Sequence, residues 1–138
     1  MPKATLKRNI FQRILGICAT RPPADAGCWT LESGKIVVDL ARAPELAEPN
    51  GAVRLEGKNL PERVLVTRGE DSEYRAFKNR CTHMGRRLDP VPGAGQVQCC
   101  SVNKSTFEND GKCVSGPGKK ELATYPVTVE GNKLEITL

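Results

Sequence analysis

Two short boxes hold most of the residues of this chain that can bind a metal or support electron transfer. The first is Cys81-Thr82-His83-Met84-Gly85. The second, after sixteen residues that follow His83, is Cys100-Ser101-Val102-Asn103-Lys104-Ser105-Thr106-Phe107. Cys-x-His places a thiolate and an imidazole on one tight loop, where two adjacent metal ions can each take one ligand. The chain has six cysteines, at 18, 28, 81, 99, 100 and 113, and one histidine. A site that needs two imidazoles from one chain is therefore excluded. No nucleophile-base pair or phosphate loop accompanies these residues, so catalysis by this chain alone is not expected.

The conjunction of the two boxes resembles the Rieske family of [2Fe-2S] proteins, whose pattern is Cys-x-His followed by Cys-x-x-His, two cysteines on one iron and two histidines on the other. Cys81-Thr82-His83-Met84-Gly85 matches the first family box, and Cys100 matches the cysteine of the second. Ser105 and Phe107 fall where the family places a serine and an aromatic residue. Val114-Ser115-Gly116-Pro117 is similar to the proline-containing loop that covers the cluster, and the sequence over 124–138 resembles the closing hairpin. The resemblance covers 34–138. It implies an all-β fold: a Rieske-like antiparallel β-sandwich with an inserted cluster-binding loop subdomain over 79–117. It also implies that Cys81 and Cys100 hold one iron and His83 the other. Arg86-Arg87 stands where quinol-oxidising members carry a disulfide cysteine, which implies the soluble ferredoxin-type or small-subunit branch.

The departure from the pattern is specific. Three residues after Cys100, where the family has its second histidine, stands Asn103. The ligand set read from the sequence is thus Cys81, His83, Cys100 and Asn103, with the fourth ligand open. A neutral amide is a poor partner for ferric iron compared with imidazole or thiolate. Cys99 is better in kind, but next to Cys100 in an extended segment it is expected to face the other way. Cys113 precedes the covering loop and is equally readable as a strand thiol. Solvent or a partner-supplied ligand is the last option. A thiolate adds negative charge and lowers the potential, whereas an amide or water leaves an exposed iron. His83 as a ligand couples electron uptake to protonation at its free ring nitrogen.

The elements that must position these boxes are short. Over 36–40, 52–55, 63–68, 74–78, 125–130 and 133–138 the chain reads as β-rich runs, with an acidic turn at 69–72 and a hairpin about Gly131-Asn132. Between Asn79 and Pro117 little strand periodicity is visible beyond 96–98, and a long insertion of this kind in a β domain is usually functional. Apolar residues Leu6, Ile10, Phe11, Ile14 and Leu15 predict an amphipathic helix over 4–17, after which a loop drops Trp29 into the core. The expected organisation is an N-terminal helix and loop over 1–33 and the β domain over 34–138.

Composition sets the remaining bounds. With 38% hydrophobic and 27% charged residues the chain is an ordinary globular sequence. A net charge of +5, dispersed along the chain, gives no argument for nucleic acid. The apolar run near the start is too short for a signal peptide or a membrane span, so a reducing compartment, the cytoplasm, is the expectation, where clustered thiols favour metal over disulfides. The leading expectation is a small soluble one-electron carrier that binds a [2Fe-2S] cluster and serves a reductase or oxygenase. Two alternatives stay open: a cluster-free Rieske-fold interaction module, and a mononuclear zinc or iron site built from Cys81, His83, Cys100 and Cys99 or Cys113. Oligomeric state is not legible.

Overall fold

The computed structural model describes residues 20–80, 87–91, 95–99, 106–115 and 122–138, with Cys99 and 113–115 described by their backbone. In chain order the strands are β1 (Trp29–Glu32), β2 (Lys35–Asp39), β3 (Ala52–Leu55), β4 (Val64–Arg68), β5 (Tyr74–Lys78) and β6 (Leu88–Val91). They continue with β7 (Gln96–Cys99), β8 (Thr106–Glu108), β9 (Cys113–Ser115), β10 (Thr124–Tyr125), β11 (Val127–Glu130) and β12 (Lys133–Thr137). They form three antiparallel sheets of order β1-β2-β12-β11, β10-β5-β4-β3 and β6-β7-β8-β9. The only helical pieces among the described residues are 3-10 turns at Ala26–Cys28, Leu40–Arg42 and Pro44–Leu46. The all-β expectation holds. The helix expected over 4–17 lies outside the described residues.

The sheet that contains β4 is the middle layer, and the sequence shows why. Strand β4 reads Val64-Leu65-Val66-Thr67-Arg68 with its first four residues buried, because both of its faces are covered. Successive strand residues point to opposite faces. Val64 and Val66 pack with Ile36, Val38, Leu134 and Ile136 in one core. Leu65 packs with Phe77, Leu88, Val97, Phe107 and Leu122 in the other. The first core joins the middle sheet to the sheet of β1, β2, β11 and β12. The second seats β6, β7 and β8 on the opposite face.

Turn chemistry fixes the register. Ser33 and Gly34, both at positive φ (49° and 77°), join β1 to β2 between the closing pair Glu32 and Lys35, the geometry of a type I′ hairpin. Gly131, at φ 59°, opens the two-residue turn between β11 and β12. Strand β1 was not foreseen, although Trp29 is buried as expected, with 3% of its surface exposed. The run expected over 125–130 is divided at Pro126, which has no N–H to donate: β10 pairs with β5 and β11 with β12, on different sheets.

The 79–117 insertion contains a four-stranded sheet where little strand was expected. Its strands, of three or four residues, are interrupted by Asp89, Pro90, Gln96 and Gln98 and carry too few alternations for a period to show. Pro90 is tolerated because β6 is an edge strand. Asp89 is fully buried, and its Oδ1 accepts a hydrogen bond from the backbone N–H of buried Thr20 at 2.7 Å. The chain on the N-terminal side is thereby fastened to the inserted sheet.

Candidate metal centre

The first box follows β5 and leads into β6. The second leaves β7 and returns as β8. The segment at 116–121, which holds the Gly116-Pro117 motif, leaves β9. The register places these exits side by side: Leu88 pairs with Cys99, Gln98 with Thr106, and Thr106 with Ser115. Neighbouring strands lie about 4.8 Å apart, so the four strand ends span only about 14 Å at one end of the sheet. Cys81, His83, Cys100 and Asn103 lie in 81–86 and 100–105, outside the described residues. The frame holds the ends of both ligand segments at a common edge. Cys99, paired with Leu88, is at that edge; Cys113, paired with Phe107, is two residues further from the exit at Ser115.

The residues that flank 116–121 are fixed at two places. Leu122 donates its N–H to the carbonyl of Gly111 at 2.7 Å, and the N–H of Lys78 donates to the carbonyl of Ala123 at 2.9 Å. Strand β10 then pairs with β5, Thr124 opposite Phe77. Ser115 therefore lies at the exit end of the inserted sheet, whereas Leu122 is held at its β8–β9 turn and Ala123 beside Lys78.

Two side chains clamp the first box. Asn79 has no exposed surface. Its backbone N–H donates to the Arg63 carbonyl at 2.8 Å, and Arg63 Nε donates to the Asn79 carbonyl at 3.1 Å. Its Oδ1 accepts the backbone N–H of Leu88 at 2.7 Å, which closes the chain across the whole box. On the far side, Arg87 donates from Nε and Nη2 to Glu56 Oε2 and Oε1 at 2.7 and 2.8 Å, a bidentate geometry. That guanidinium holds the Glu56 carboxyl below the usual carboxylate range. Arg87 is thus a tether between the end of the first box and Glu56; Arg86 lies outside the described residues. Arg80, with 57% of its side chain exposed and Glu62 at 4.0 Å, is the more available cation beside the box.

Among the described residues, the buried Asn79 Nδ2 makes no hydrogen bond, a loss of about 1–3 kcal/mol for a buried donor. It stands two residues before Cys81. Sulfide and thiolate sulfur are the acceptors that a sulfur-rich metal group on this loop offers. The frame and the thiolate and imidazole donors of the two boxes fit such a group.

A model of the Rieske [2Fe-2S] domain matches residues 37–126, well over half of the chain. The chain belongs to the Rieske [2Fe-2S] domain family. This Rieske chain is 29% identical over 104 residues to a cytochrome b6-f complex iron-sulfur subunit of Chlorobaculum tepidum, an alignment that covers 75% of this chain and 56% of that protein. It is 36% identical over 75 residues to a carnitine monooxygenase oxygenase subunit of Acinetobacter baumannii, with 52% of this chain and 19% of that protein covered. The Rieske chain thus spans about half the length of the first relative and a fifth of the second. Among solved structures it is similar to the ferredoxin of carbazole 1,9a-dioxygenase from Nocardioides aromaticivorans, with a TM-score of 0.55 at 18% identity, over 65% of this chain and 86% of that one. At that identity the likeness shows the fold. No helix among the described residues is long and apolar enough to cross a membrane.

Asn79, Glu56 and Gly111 were missed by reading the sequence. Asn79 had a local signal, its place just before the box. Glu56 is 31 residues from Arg87 and had none. Gly111 is recognisable only once Leu122 is seen against it.

Proposed function

We propose that this chain is a one-electron carrier of the Rieske type with altered ligation. In this reading Cys81 and Cys100 hold one iron, His83 holds the other, and the fourth ligand comes from the second box or the residue before it, with Asn103 at the family position and Cys99 the alternative thiolate. When bound, the cluster supplies a reversible one-electron couple. The protein's part is to hold the two boxes rigidly at one sheet edge, to exclude water from their base through Leu88, Val97 and Phe107, and to present their tips to a partner. The single observation that carries this reading is the convergence of all three loop exits at that edge.

The partner in this reading is a redox protein, a reductase or an oxygenase. The names of the relatives support this class: an oxygenase subunit and the ferredoxin of a dioxygenase. The cluster end docks, and Arg80 favours an acidic partner face. Such encounters are small and transient, below about 1,200 Å². The cytoplasm is the proposed compartment.

The test is anaerobic purification with visible absorption, EPR of the reduced protein, and assay of iron, acid-labile sulfide and zinc in the same sample. About two irons and two sulfides per chain are expected, the stoichiometry of one [2Fe-2S] cluster. Cys81→Ser is expected to abolish the cluster and leave the domain folded, because both cores lie outside the box. Asn103→His is expected to raise the potential toward ordinary Rieske values if a thiolate is the native fourth ligand. A colourless protein that also fails reconstitution overturns the carrier reading in favour of a cluster-free module. Stoichiometric zinc overturns it in favour of a mononuclear Cys/His site.

A further inference from the structure

We propose that a cavity between the N-terminal loop and the end of β3 is a binding site for a small aromatic carboxylate. It uses no residue of the two boxes and needs no cluster. The cavity has a volume of about 210 Å³. One side is apolar, formed by Pro22, Pro23 and Trp29, and the other is charged, formed by Arg54, Glu56 and Lys58. Strand alternation explains the charged side: Val53 and Leu55 are buried in the first core, which leaves Arg54 and, beyond the strand, Glu56 to the opposite face. Lys58 follows in a turn where Gly57, Lys58 and Asn59 all have positive φ (88°, 49° and 66°), closed by the Leu60 N–H on the Gly57 carbonyl at 2.9 Å. The left-handed region is costly for Lys58 and Asn59. The Lys58 ammonium holds the turn against the loop: it donates to the carbonyls of Ala26 and of Trp29, the latter at 2.7 Å, and lies 4.3 Å from the centroid of the Trp29 ring.

The charges around this cavity do not balance. Glu56 is the carboxylate of the lining, and both of its oxygens are taken by Arg87 at 2.7 and 2.8 Å. Arg54 reaches it through Nη1, at 3.2 Å to Oε2, and the charge of Arg63 acts on the same carboxylate. Asp25, whose carboxylate also feels Lys58, is held by Arg42 at 2.7 and 3.0 Å. Arg54 Nε is buried and makes no hydrogen bond among the described residues, while 25% of the Arg54 side chain is exposed. Arg54 and Lys58 beside one carboxylate already engaged by Arg87 make the cavity cationic. A guanidinium with an unused donor is matched by a carboxylate. The apolar side sets the rest of the ligand. A cavity of about 150 Å³ holds benzene, so this one admits a single ring that carries a carboxylate, with the ring on the side of the two prolines.

Trp29 is the one tryptophan of the chain, so its fluorescence reports on the cavity directly. The full-length protein is titrated at low salt with benzoate, with phenylacetate and with benzamide, the neutral isostere of benzoate, by fluorescence and by calorimetry. Benzoate or phenylacetate is expected to bind one site with a Kd of about 0.1–1 mM, within reach of a ligand of about ten non-hydrogen atoms. Benzamide is expected to bind at least about tenfold more weakly, and added salt to weaken the carboxylate. Arg54→Gln is expected to lower benzoate affinity to that of benzamide, whereas Lys133→Gln, on exposed surface of β12, leaves it unchanged. If Arg54→Gln fails to fold, the benzoate and benzamide affinities of the wild-type protein decide the matter. Absence of saturable binding of both carboxylates up to about 10 mM overturns the proposal, as does equal affinity for benzamide or wild-type affinity in Arg54→Gln. Displacement of benzoate by an equal concentration of inorganic phosphate overturns it in favour of a general anion patch. A protein without iron and sulfide overturns the carrier reading and leaves this site standing.

Discussion

Replacing Gly111 by alanine tests whether one backbone contact holds the chain where it re-enters the fold at Leu122. Gly111 sits at φ 92°, and a Cβ built there would lie 2.1 Å from the Leu122 carbonyl oxygen. Ordinary contact begins near 3.4 Å, so the carbonyl must retreat by about 1.3 Å. That displacement breaks the Leu122 N–H bond to the Gly111 carbonyl, 2.7 Å long, and shifts a leucine that is only 3% exposed. A natural control is Gly131, at φ 59° with nothing within 4 Å of its Cβ position. Both variants incur the cost of a left-handed alanine, about 1–2 kcal/mol. Gly111→Ala adds about 0.5–1.5 kcal/mol for the hydrogen bond and part of the roughly 1.5–3 kcal/mol of a buried leucine. The expected gap between the two variants is about 2–4 kcal/mol. At a urea slope of about 1.5 kcal/mol/M this places the Gly111→Ala midpoint about 2 M below that of Gly131→Ala. Faster loss of iron to a chelator is expected to accompany it, since Leu122 is no longer held at the β8–β9 turn. Urea melts of the two cluster-free variants, followed by circular dichroism, give the answer. Midpoints that agree to within about 0.5 M, a difference below about 1 kcal/mol, would refute the reasoning.

The Glu56 and Arg87 pair makes a pH-dependent contribution. The Glu56 pKa is lowered in the fold by the Arg87 hydrogen bond, so its stabilisation is complete above the unfolded carboxylate pKa and lost as pH falls through the lowered value. Glu56→Gln is expected to destabilise the protein by about 1–2 kcal/mol at pH 7 and by progressively less below about pH 4; parallel melting curves across that range would contradict the pairing. Phe107, wholly buried between β7 and β9, is the keystone of the second core. Phe107→Ala is expected to cost about 3–5 kcal/mol and to abolish iron retention, whereas truncation of Val129, 50% exposed on β11, is expected to change neither; equal effects of the two would place the inserted sheet outside the cooperative core.

The chemistry was legible in the sequence because it resides in residue types at short spacing. Cys81 and His83 are two apart, and a single histidine with Asn103 at the second family position establishes by counting that the usual ligand set is incomplete. Strands β3 and β5 were legible to the residue because their alternation and bounding turns are local. The third sheet was not, since strands such as Thr106–Glu108 are too short to show a period and exist through pairing with one another. Only the tertiary structure decided that β4 is buried on both faces, that Asn79 reaches Leu88 across the first box, and that Glu56 meets Arg87 across 31 residues. It also decided that Leu88, Cys99, Thr106 and Ser115, which flank the three loops, share one edge. Residue identity and spacing specify which donors exist. Their convergence depends on strand order and register, which arise from burying two apolar faces of one middle sheet, a property of the whole chain that no local segment encodes.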